Sequence, residues 1–246
     1  MLRMTLKASL INLLFPNRCP GCNAFLTAGE RLCPACETHI LLPHDDYCHT
    51  CGKLTCLCRS RTFAYDQAIV CARYTDEPDD PAVRAIWALK NSRNTNFAAF
   101  AAQIIAERLQ YSYDYGTYDF VTAVPMHRTK QRVRGYNQAA LIGKALAGRL
   151  SLPYREDLLC KSRSKIAQHQ LSAAERARNV STFHANDIPL DGMRILLCDD
   201  VLTTGATLDR CAALLKANGA SHVTAAVAAT TSRRHPGETP PHFSTT

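Results

Sequence analysis

A pair of carboxylates followed by a threonine-rich turn is the part of this sequence best suited to bind a phosphate. The apolar run Ile195–Cys198 ends at Asp199 and Asp200, and the turn Thr203–Thr207 then opens an amphipathic helix. Threonine hydroxyls and the amides of a helix N-terminus donate hydrogen bonds to phosphate, and Gly205 lets the backbone approach closely. Neither a Walker A loop, which needs Gly-Lys-Ser/Thr, nor a solvated strand end with an N-capping threonine accounts for the whole run. The segment therefore predicts a sugar-phosphate site, in which the carboxylates accept hydrogen bonds from sugar hydroxyls or act as indirect partners of Mg²⁺.

Eight of the twelve cysteines fall in a short N-terminal segment with the spacing of metal-binding turns. They are Cys19, Cys22, Cys33, Cys36, Cys48, Cys51, Cys56 and Cys58. The first four form two Cys-x2-Cys turns separated by ten residues, which suits one zinc ion held tetrahedrally by four thiolates. We therefore predict two structural zinc ions rather than a disulfide framework, because no convincing secretory signal precedes the cysteines.

The ligands of the second zinc ion are less well defined by the sequence. The pair Cys56 and Cys58 is more compressed than a Cys-x2-Cys turn, and His44 or His49 could replace one sulfur. An interleaved arrangement, in which the first and third Cys-x2-Cys turns share one metal, is also compatible with the spacing. The sequence leaves these alternatives open.

Strands and helices alternate from about residue 63 onwards, and these elements must position the predicted phosphate site. Strands are predicted at Ala68–Tyr74, Phe120–Val124, Leu158–Cys160, Arg194–Cys198 and His222–Ala229. Helices are predicted at Val83–Lys90, Phe97–Tyr111, Tyr136–Leu150 and Thr207–Asn218, with Trp87 assigned to the core. Alternation of this kind indicates a parallel α/β sheet.

The segment Ile195–Thr207 resembles the 5-phosphoribosyl-1-pyrophosphate (PRPP) motif of type I phosphoribosyltransferases, with Ala206 in the usual serine or threonine position. The resemblance implies that the two acids hold the ribose hydroxyls and are the catalytic candidates, and that the threonine-rich turn holds the 5′-phosphate. The implied PRPP-binding residues are Asp199, Asp200, Val201, Leu202, Thr203, Thr204, Gly205, Ala206 and Thr207. The implied pyrophosphate loop contains Pro125, Met126, His127 and Arg128.

A narrower resemblance is to the ComF family, which couples a double zinc ribbon to a phosphoribosyltransferase domain and includes proteins needed for DNA uptake in bacterial transformation. It rests on the cysteine-rich N-terminus, Val124-Pro125, Arg134–Gln138, the residues Gln168, Leu171, Arg176, Asn179 and Phe183, and the PRPP motif. The resemblance implies an α/β, parallel-sheet type I phosphoribosyltransferase fold with a small N-terminal zinc-ribbon module. The compressed Cys56-Leu57-Cys58 and the lack of an obvious base-recognition hood depart from the pattern.

Two short segments account for the formal net charge of +8. Arg128–Arg134 carries four cations directly after the predicted pyrophosphate loop, which favours neutralisation of pyrophosphate over a merely solvated helix lead-in. Lys161–Arg178 carries five cations and one glutamate. This second segment is a candidate lid over PRPP or a track for a nucleic-acid backbone, and its candidate residues are Lys161, Arg163, Lys165, Gln168 and Arg176.

The sequence predicts an N-terminal helix and double zinc ribbon at 1–62, a phosphoribosyltransferase-like domain at 63–230 and a disordered tail at 231–246. Leu6, Leu10, Leu13 and Leu14 have the spacing of one helical face, which favours a docking helix over a signal peptide or a membrane-surface segment. Apolar runs are too short for a membrane span, and we expect a cytoplasmic protein.

Three classes of function are compatible with these features. The leading expectation is a ComF-like protein that binds PRPP with Mg²⁺ and handles incoming single-stranded DNA, with competence proteins as partners. The first alternative is an active type I phosphoribosyltransferase of base or nucleotide salvage. The second is a zinc-mediated interaction adaptor, which is favoured if PRPP does not bind.

Overall fold

The computed structural model describes residues 16–75, 77–92, 94–110, 117–162 and 183–231. Three sets of predictions concern residues outside these ranges: the N-terminal docking helix, most of the tail, and the candidates Arg163, Lys165, Gln168 and Arg176. Thr231, predicted as the first residue of the tail, is instead the last residue of a strand.

Six helices and six strands are found in the described part of the chain. The helices are α1 (Pro34–Ile40), α2 (Pro81–Asn91), α3 (Asn96–Leu109), α4 (Arg128–Arg134), α5 (Gln138–Leu150) and α6 (Ala206–Ala217), with a 3-10 turn at His44–Asp46. The strands are β1 (Gln67–Tyr74), β2 (Phe120–Ala123), β3 (Leu159–Lys161), β4 (Phe183–Ala185), β5 (Arg194–Leu202) and β6 (His222–Thr231).

The core of the molecule is a four-stranded parallel sheet with the order β1-β6-β5-β2. The strands β5 and β6 are long runs of buried apolar residues, as expected of strands covered on both faces. Helices α3 and α5 pack against each other and against the sheet, and α6 packs against β5 and β6. The prediction of a parallel α/β sheet is therefore confirmed.

Two predicted strands differ from the structure. The run at Leu158–Cys160 does not join the parallel sheet, because β3 pairs with β4 in a separate antiparallel ribbon. Strand β5 does not end at Cys198 but continues through both carboxylates to Leu202, paired with β6 along this length. As a result Asp199 and Asp200 are part of a hydrogen-bonded strand, which holds their backbone rigidly.

Trp87 is not a core residue, since 62% of it is exposed. The buried face of α2 is formed by residues such as Ala82, Ile86 and Leu89, which recur at helical spacing. Trp87 directly follows Ile86, so its side chain leaves the helix about 100° away from that face. The assignment of Trp87 to the core was wrong for this reason.

The cysteine-rich segment completes the free edge of the sheet beside β1. Leu41 forms an antiparallel bridge with Ala72, and the amide of Leu42 donates to the carbonyl of Cys71 at 3.1 Å. Arg108 of α3 donates to backbone carbonyls on both sides of this junction, one in β1 and one in the cysteine-rich segment. The two parts of the chain are thus joined by backbone pairing as well as by side-chain packing. In the described residues no helix is both long and apolar enough to cross a membrane.

Candidate functional site

The predicted phosphate turn lies between the end of β5 and the start of α6. Gly205 is the N-cap of α6 and has φ +77, a left-handed conformation that favours glycine. A Cβ atom at this position would lie 3.0 Å from a ring carbon of Phe63 and 3.2 Å from the hydroxyl of Tyr65. Thr203 and Thr204 are exposed beside this glycine. The turn therefore presents hydroxyls at the open N-terminus of a helix, as an anion site requires.

The two carboxylates stand at the C-terminal end of β5. Asp200 lies 3.1 Å from the ammonium of Lys90, which reaches the site from the last turn of α2. Burial and the neighbouring negative charge of Asp200 raise the pKa of Asp199 to about 8, against the opposing influence of Lys90 and Lys161. The two acids therefore differ in their surroundings, because the ammonium group of Lys90 contacts Asp200, whereas Asp199 is buried beside the charge of Asp200.

The predicted pyrophosphate loop connects β2 to α4. His127 caps α4, its Nδ1 accepting a hydrogen bond from the amide of Thr129 at 3.2 Å. Helix α4 is seven residues long, and Arg128, Lys130 and Arg132 are exposed on it. The loop thus delivers a cluster of cations to the C-terminal edge of the sheet.

One cavity of about 330 Å³ brings these separate segments together. Its lining includes the residues of three predicted groups, namely Asp199, Asp200, Val201 and Thr207, then Pro125, Met126 and His127, then Lys161. Lys130 and Arg134 add two further cations. An anionic ligand in this cavity would meet both the ammonium and guanidinium groups and the carboxylate pair.

A second cavity, also of about 330 Å³, is lined in part by the same pyrophosphate loop. Pro125, Met126 and Lys161 line both cavities, and Arg128 lines only the second. Further lining comes from the segment around Tyr154 and from residues in and beside the β3–β4 ribbon. The two cavities therefore adjoin at the pyrophosphate loop and Lys161.

The eight N-terminal cysteines form two separate groups of four. Cys19, Cys22, Cys33 and Cys36 make the first cluster, and Cys48, Cys51, Cys56 and Cys58 make the second cluster. Within each cluster the sulfur atoms all lie within 4.8 Å of one another. The sequential pairing is therefore the correct alternative, and the interleaved pairing is excluded for the described residues.

The geometry of both clusters fits tetrahedral zinc. Four sulfurs at about 2.3 Å from a zinc ion lie about 3.8 Å from each other. The observed Sγ–Sγ distances include 3.5 Å for Cys22 and Cys33 and 3.7 Å for Cys48 and Cys58. All cysteines of the chain are free thiols in the structure. The histidines form a separate group with Asp45, so they do not replace a sulfur in the second cluster.

Backbone amides prepare one thiol in each cluster for metal binding. Burial opposes ionisation of Cys19, but backbone N–H groups of Cys33, Cys22 and Gly21 lower its pKa to about 7. In the second cluster, burial is likewise outweighed by hydrogen bonds from backbone amides and from Cys56, and the pKa of Cys48 falls to about 7. Thiolate is the form that binds zinc, so both turns favour the ligand state.

Comparison with known proteins finds two family models along the chain. A double zinc ribbon domain matches residues 10–75, and a phosphoribosyl transferase domain matches residues 138–243. Proteins with matching sequence over most of their length include competence protein F of Haemophilus influenzae, 24% identical over 85% of this chain and 95% of that protein. This chain is a homologue of ComF competence proteins that carries a double zinc ribbon and a phosphoribosyl transferase domain.

Two other relatives extend the ComF comparison. The DNA utilization protein YhgH of Escherichia coli is 29% identical over 83% of this chain and 86% of its own length. The competence protein ComFC of Bacillus subtilis is 24% identical over 79% of this chain and 81% of its own length. Both therefore align with the cysteine clusters and the α/β domain together, and not with one part alone.

The structure adds residues to the candidate site to which the sequence analysis gave no role. Lys90 pairs with Asp200, although it belongs to a helix that was predicted only from its apolar face. Gln138 was quoted in the ComF motif but given no role. It is 1% exposed and lines the first cavity, and its Oε1 accepts from Arg134 at 2.8 Å.

The other side-chain atom of Gln138 points to a ligand. Its Nε2 is buried and has no hydrogen-bond partner among the described residues. Because Arg134 can only donate, the atom it contacts is the amide oxygen, and the unpaired atom is the NH₂ group. A buried donor without an acceptor costs about 1–3 kcal/mol, which an anionic ligand in the cavity would offset.

Proposed function

We propose that this chain binds PRPP with Mg²⁺ and takes part in handling single-stranded DNA during DNA uptake. The observation that carries the PRPP part is the first cavity, which joins the carboxylate pair, the pyrophosphate loop and the start of α6. No single one of these features specifies PRPP. Together they match its two anionic groups and its ribose hydroxyls.

Each part of PRPP has a complementary group in the proposed arrangement. The turn Thr203–Thr207 holds the 5′-phosphate, and Asp199 and Asp200 accept hydrogen bonds from the ribose hydroxyls. Lys130, Arg134 and the buried NH₂ of Gln138 face the pyrophosphate. Mg²⁺ bound by the pyrophosphate would supply further neutralisation of its charge.

The DNA part of the proposal rests on the relatives and on exposed charge. The relatives are described as DNA utilization and competence proteins. Helix α4 exposes Arg128, Lys130 and Arg132 next to Val133, which is 86% exposed. Exposed cations of this kind bind phosphate backbones, and an exposed apolar side chain can contact bases.

Calorimetric titration of the purified chain with PRPP and Mg²⁺ tests the first part of the proposal. We expect one PRPP per chain and competition by pyrophosphate, because both occupy the cation cluster. Absence of any heat or competition in a folded, zinc-loaded sample would contradict the proposal. In that case the adaptor alternative is favoured.

PRPP affinity should rise with pH. The pKa of Asp199 is raised to about 8 by burial and by Asp200, so its carboxyl group is mostly protonated at neutral pH. The ionised form is the better acceptor for ribose hydroxyls, so affinity should increase by about tenfold between about pH 7 and pH 9. The Asp199→Asn variant serves as the control and should show a flat profile over this range. A flat profile in the unmodified protein would contradict the assigned role of Asp199.

Binding of single-stranded DNA should fall steeply with salt if the basic segments contact phosphates. Each phosphate contact contributes a log–log slope of about −0.7 on a single strand. Neutralising Lys161, Arg163 and Lys165 together should flatten the slope by about two units if all three contact phosphate. Arg132→Ala is a separate test on α4 and should flatten it by about 0.7 without weakening PRPP binding, since Arg132 lines neither cavity. Unchanged slopes in both variants would contradict a DNA track at these positions.

The second cavity favours one alternative function, an active phosphoribosyltransferase. It adjoins the proposed PRPP cavity and shares Lys161 and two residues of the pyrophosphate loop with it. An acceptor bound there would attack ribose C1 as pyrophosphate leaves, and the cation cluster would stabilise the leaving charge. Release of pyrophosphate with one member of a panel of bases would favour this enzyme over the DNA-handling function. Loss of that release in the Lys161 triple variant, without DNA binding in the unmodified protein, would identify the basic segment as a catalytic lid.

A further inference from the structure

The second cysteine cluster lies directly behind the phosphate turn. Lys53, two residues after Cys51, is only 5% exposed. Its ammonium group donates to the carbonyl of Thr203 at 2.8 Å and to that of Leu202 at 3.3 Å. It also donates to the carbonyl of Thr231 at 2.6 Å and to its hydroxyl at 3.0 Å. One charged group from the metal-binding turn therefore fixes the end of β5 where the phosphate turn begins.

The metal-binding turn packs tightly against the end of β5 at Gly52. Gly52 has φ +71, and a Cβ atom at this position would lie 2.5 Å from Leu202 and 2.9 Å from Ala68. The backbone of the metal-binding turn thus contacts the last residue of β5 closely. Displacement of the turn must displace Lys53 from the carbonyl groups that it contacts.

A second set of contacts joins the far end of the cluster to the start of α6. Arg61 donates to the carbonyl of Thr204 at 3.3 Å and to Asp209 of α6 at 2.8 Å. The hydroxyl of Tyr65 donates to the carbonyl of Cys51 at 3.1 Å and lies where a Cβ on Gly205 would meet it. The phosphate turn is therefore held from both ends by residues that flank the second cluster.

The first cluster has different neighbours. Gly21, between its first two cysteines, packs against Pro81 at the start of α2. The carbonyl of Arg18 accepts a hydrogen bond from Asn94 at 3.0 Å. The first cluster is thus anchored near α2 and α3, and it provides an internal comparison for the second.

We propose that Lys53 is a positioning residue through which metal binding at the second cluster and PRPP binding at the phosphate turn support each other. The inference rests on the proposed PRPP function. Small metal-binding turns fold when their metal binds, so the second cluster orders Lys53 and its neighbours. The ordered lysine then holds the phosphate turn in its binding conformation. Coupling between two binding sites is reciprocal, so PRPP must retain metal at the second cluster by the same factor.

The experiment uses the full chain with both clusters loaded with zinc. Lys53→Met keeps a side chain of similar length but removes the ammonium group, and Lys216→Met is the matched control. Lys216 forms an ion pair with Asp66 at 2.6 Å, outside the phosphate turn. We expect Lys53→Met to keep two zinc ions and to bind PRPP about tenfold more weakly, while the control binds as the unmodified protein does. Equal PRPP affinity in all three proteins would overturn the proposal.

A second measurement does not depend on the variant. Zinc is withdrawn from the unmodified protein by a chromogenic chelator, and alkylation of each cysteine is followed by mass spectrometry. At equilibrium with the chelator, PRPP should raise the zinc affinity of the second cluster by about tenfold. Alkylation of Cys48, Cys56 and Cys58 should then be slower with PRPP present, without any slowing at Cys22. Equal protection of both clusters, or of neither, would overturn the proposal even if Lys53→Met fails to fold.

A third measurement separates failure of this inference from failure of the proposed function. Amide hydrogen exchange at residues 203–208 is compared among the zinc-loaded unmodified protein, Lys53→Met and Lys216→Met, with no PRPP present. Exchange should become faster in Lys53→Met alone, because the carbonyl groups of Leu202 and Thr203 then lose their contact with the ammonium group. If exchange is faster but PRPP does not bind the unmodified protein, the proposed PRPP function is contradicted. The contact between Lys53 and the phosphate turn is still supported in that case. Unchanged exchange would overturn the link itself.

Discussion

Replacing both Asp199 and Asp200 by asparagine should weaken PRPP binding by at least about 100-fold at pH 9, where the carboxyl group of Asp199 is mostly ionised. A hydrogen bond to a charged group contributes about 1.5–3 kcal/mol, and about 1.4 kcal/mol corresponds to a tenfold change in affinity. Two such bonds are lost in the double variant. The fold should survive, because an amide oxygen can still accept from the amides of Asp200 and Val201, which contact the carboxylates at 2.9 Å and 2.8 Å. Calorimetry with PRPP and Mg²⁺ measures the loss, and circular dichroism checks the fold.

Asp79→Asn is the matched control for this double variant. Asp79 is an exposed carboxylate that pairs with Arg84 on α2, away from the cavity. Its replacement makes the same chemical change and should leave PRPP affinity unaltered. Equal PRPP affinity in the double variant and the unmodified protein would refute the roles given to the two acids.

Removal of zinc should have the second large effect, on the stability of the whole chain. Structural zinc sites contribute an apparent free energy of about 10–16 kcal/mol to small metal-dependent modules. We expect elemental analysis of protein purified without added metal to find about two zinc ions per chain. Chelation should lower the melting temperature by many degrees, since Cys19 and Cys36 of the first cluster belong to the apolar core and Gly52 of the second metal-binding turn packs against Leu202. Scanning calorimetry before and after chelation measures the change.

Single-cysteine variants distinguish metal ligands from other thiols. Cys36→Ser should remove one zinc ion, because this thiol completes the first four-sulfur group. Cys160→Ser should keep both, since this exposed thiol belongs to neither cluster. Almost no bound zinc, with the eight cysteines paired as disulfides, would instead support a disulfide framework in this segment.

The part of the site that is local in sequence could be predicted from the sequence. The carboxylate pair, the turn at Gly205 and the start of α6 follow one another along the chain. Their relative geometry is therefore set by one strand end and one helix start. The metal clusters were predictable for the same reason, although spacing alone could not choose between sequential and interleaved pairing.

The residues that escaped prediction come from distant segments. Lys90 and Lys53 reach the site from a helix and from a metal-binding turn that are far from it in sequence. A lone lysine carries no motif, so only the packing of the folded chain reveals its partner. The error at Trp87 was avoidable, because the periodicity of α2 already places this residue off the apolar face. The error at β3 was not, since three residues do not specify which strand they join.

The bridge between Leu41 and Ala72 has a consequence for dividing the chain into fragments. A fragment that begins at residue 63 would lack the segment that covers the outer edge of β1. Its uncovered backbone amides and carbonyls would offer a template for pairing with other molecules, and exposed edges of this kind promote aggregation. Such a fragment would also leave apolar surface around Ala68 and Leu202 open to water, where Gly52 now packs. We therefore expect the α/β domain to aggregate when it is expressed without the cysteine-rich segment. A fragment intended to stay soluble must keep residues 41–62.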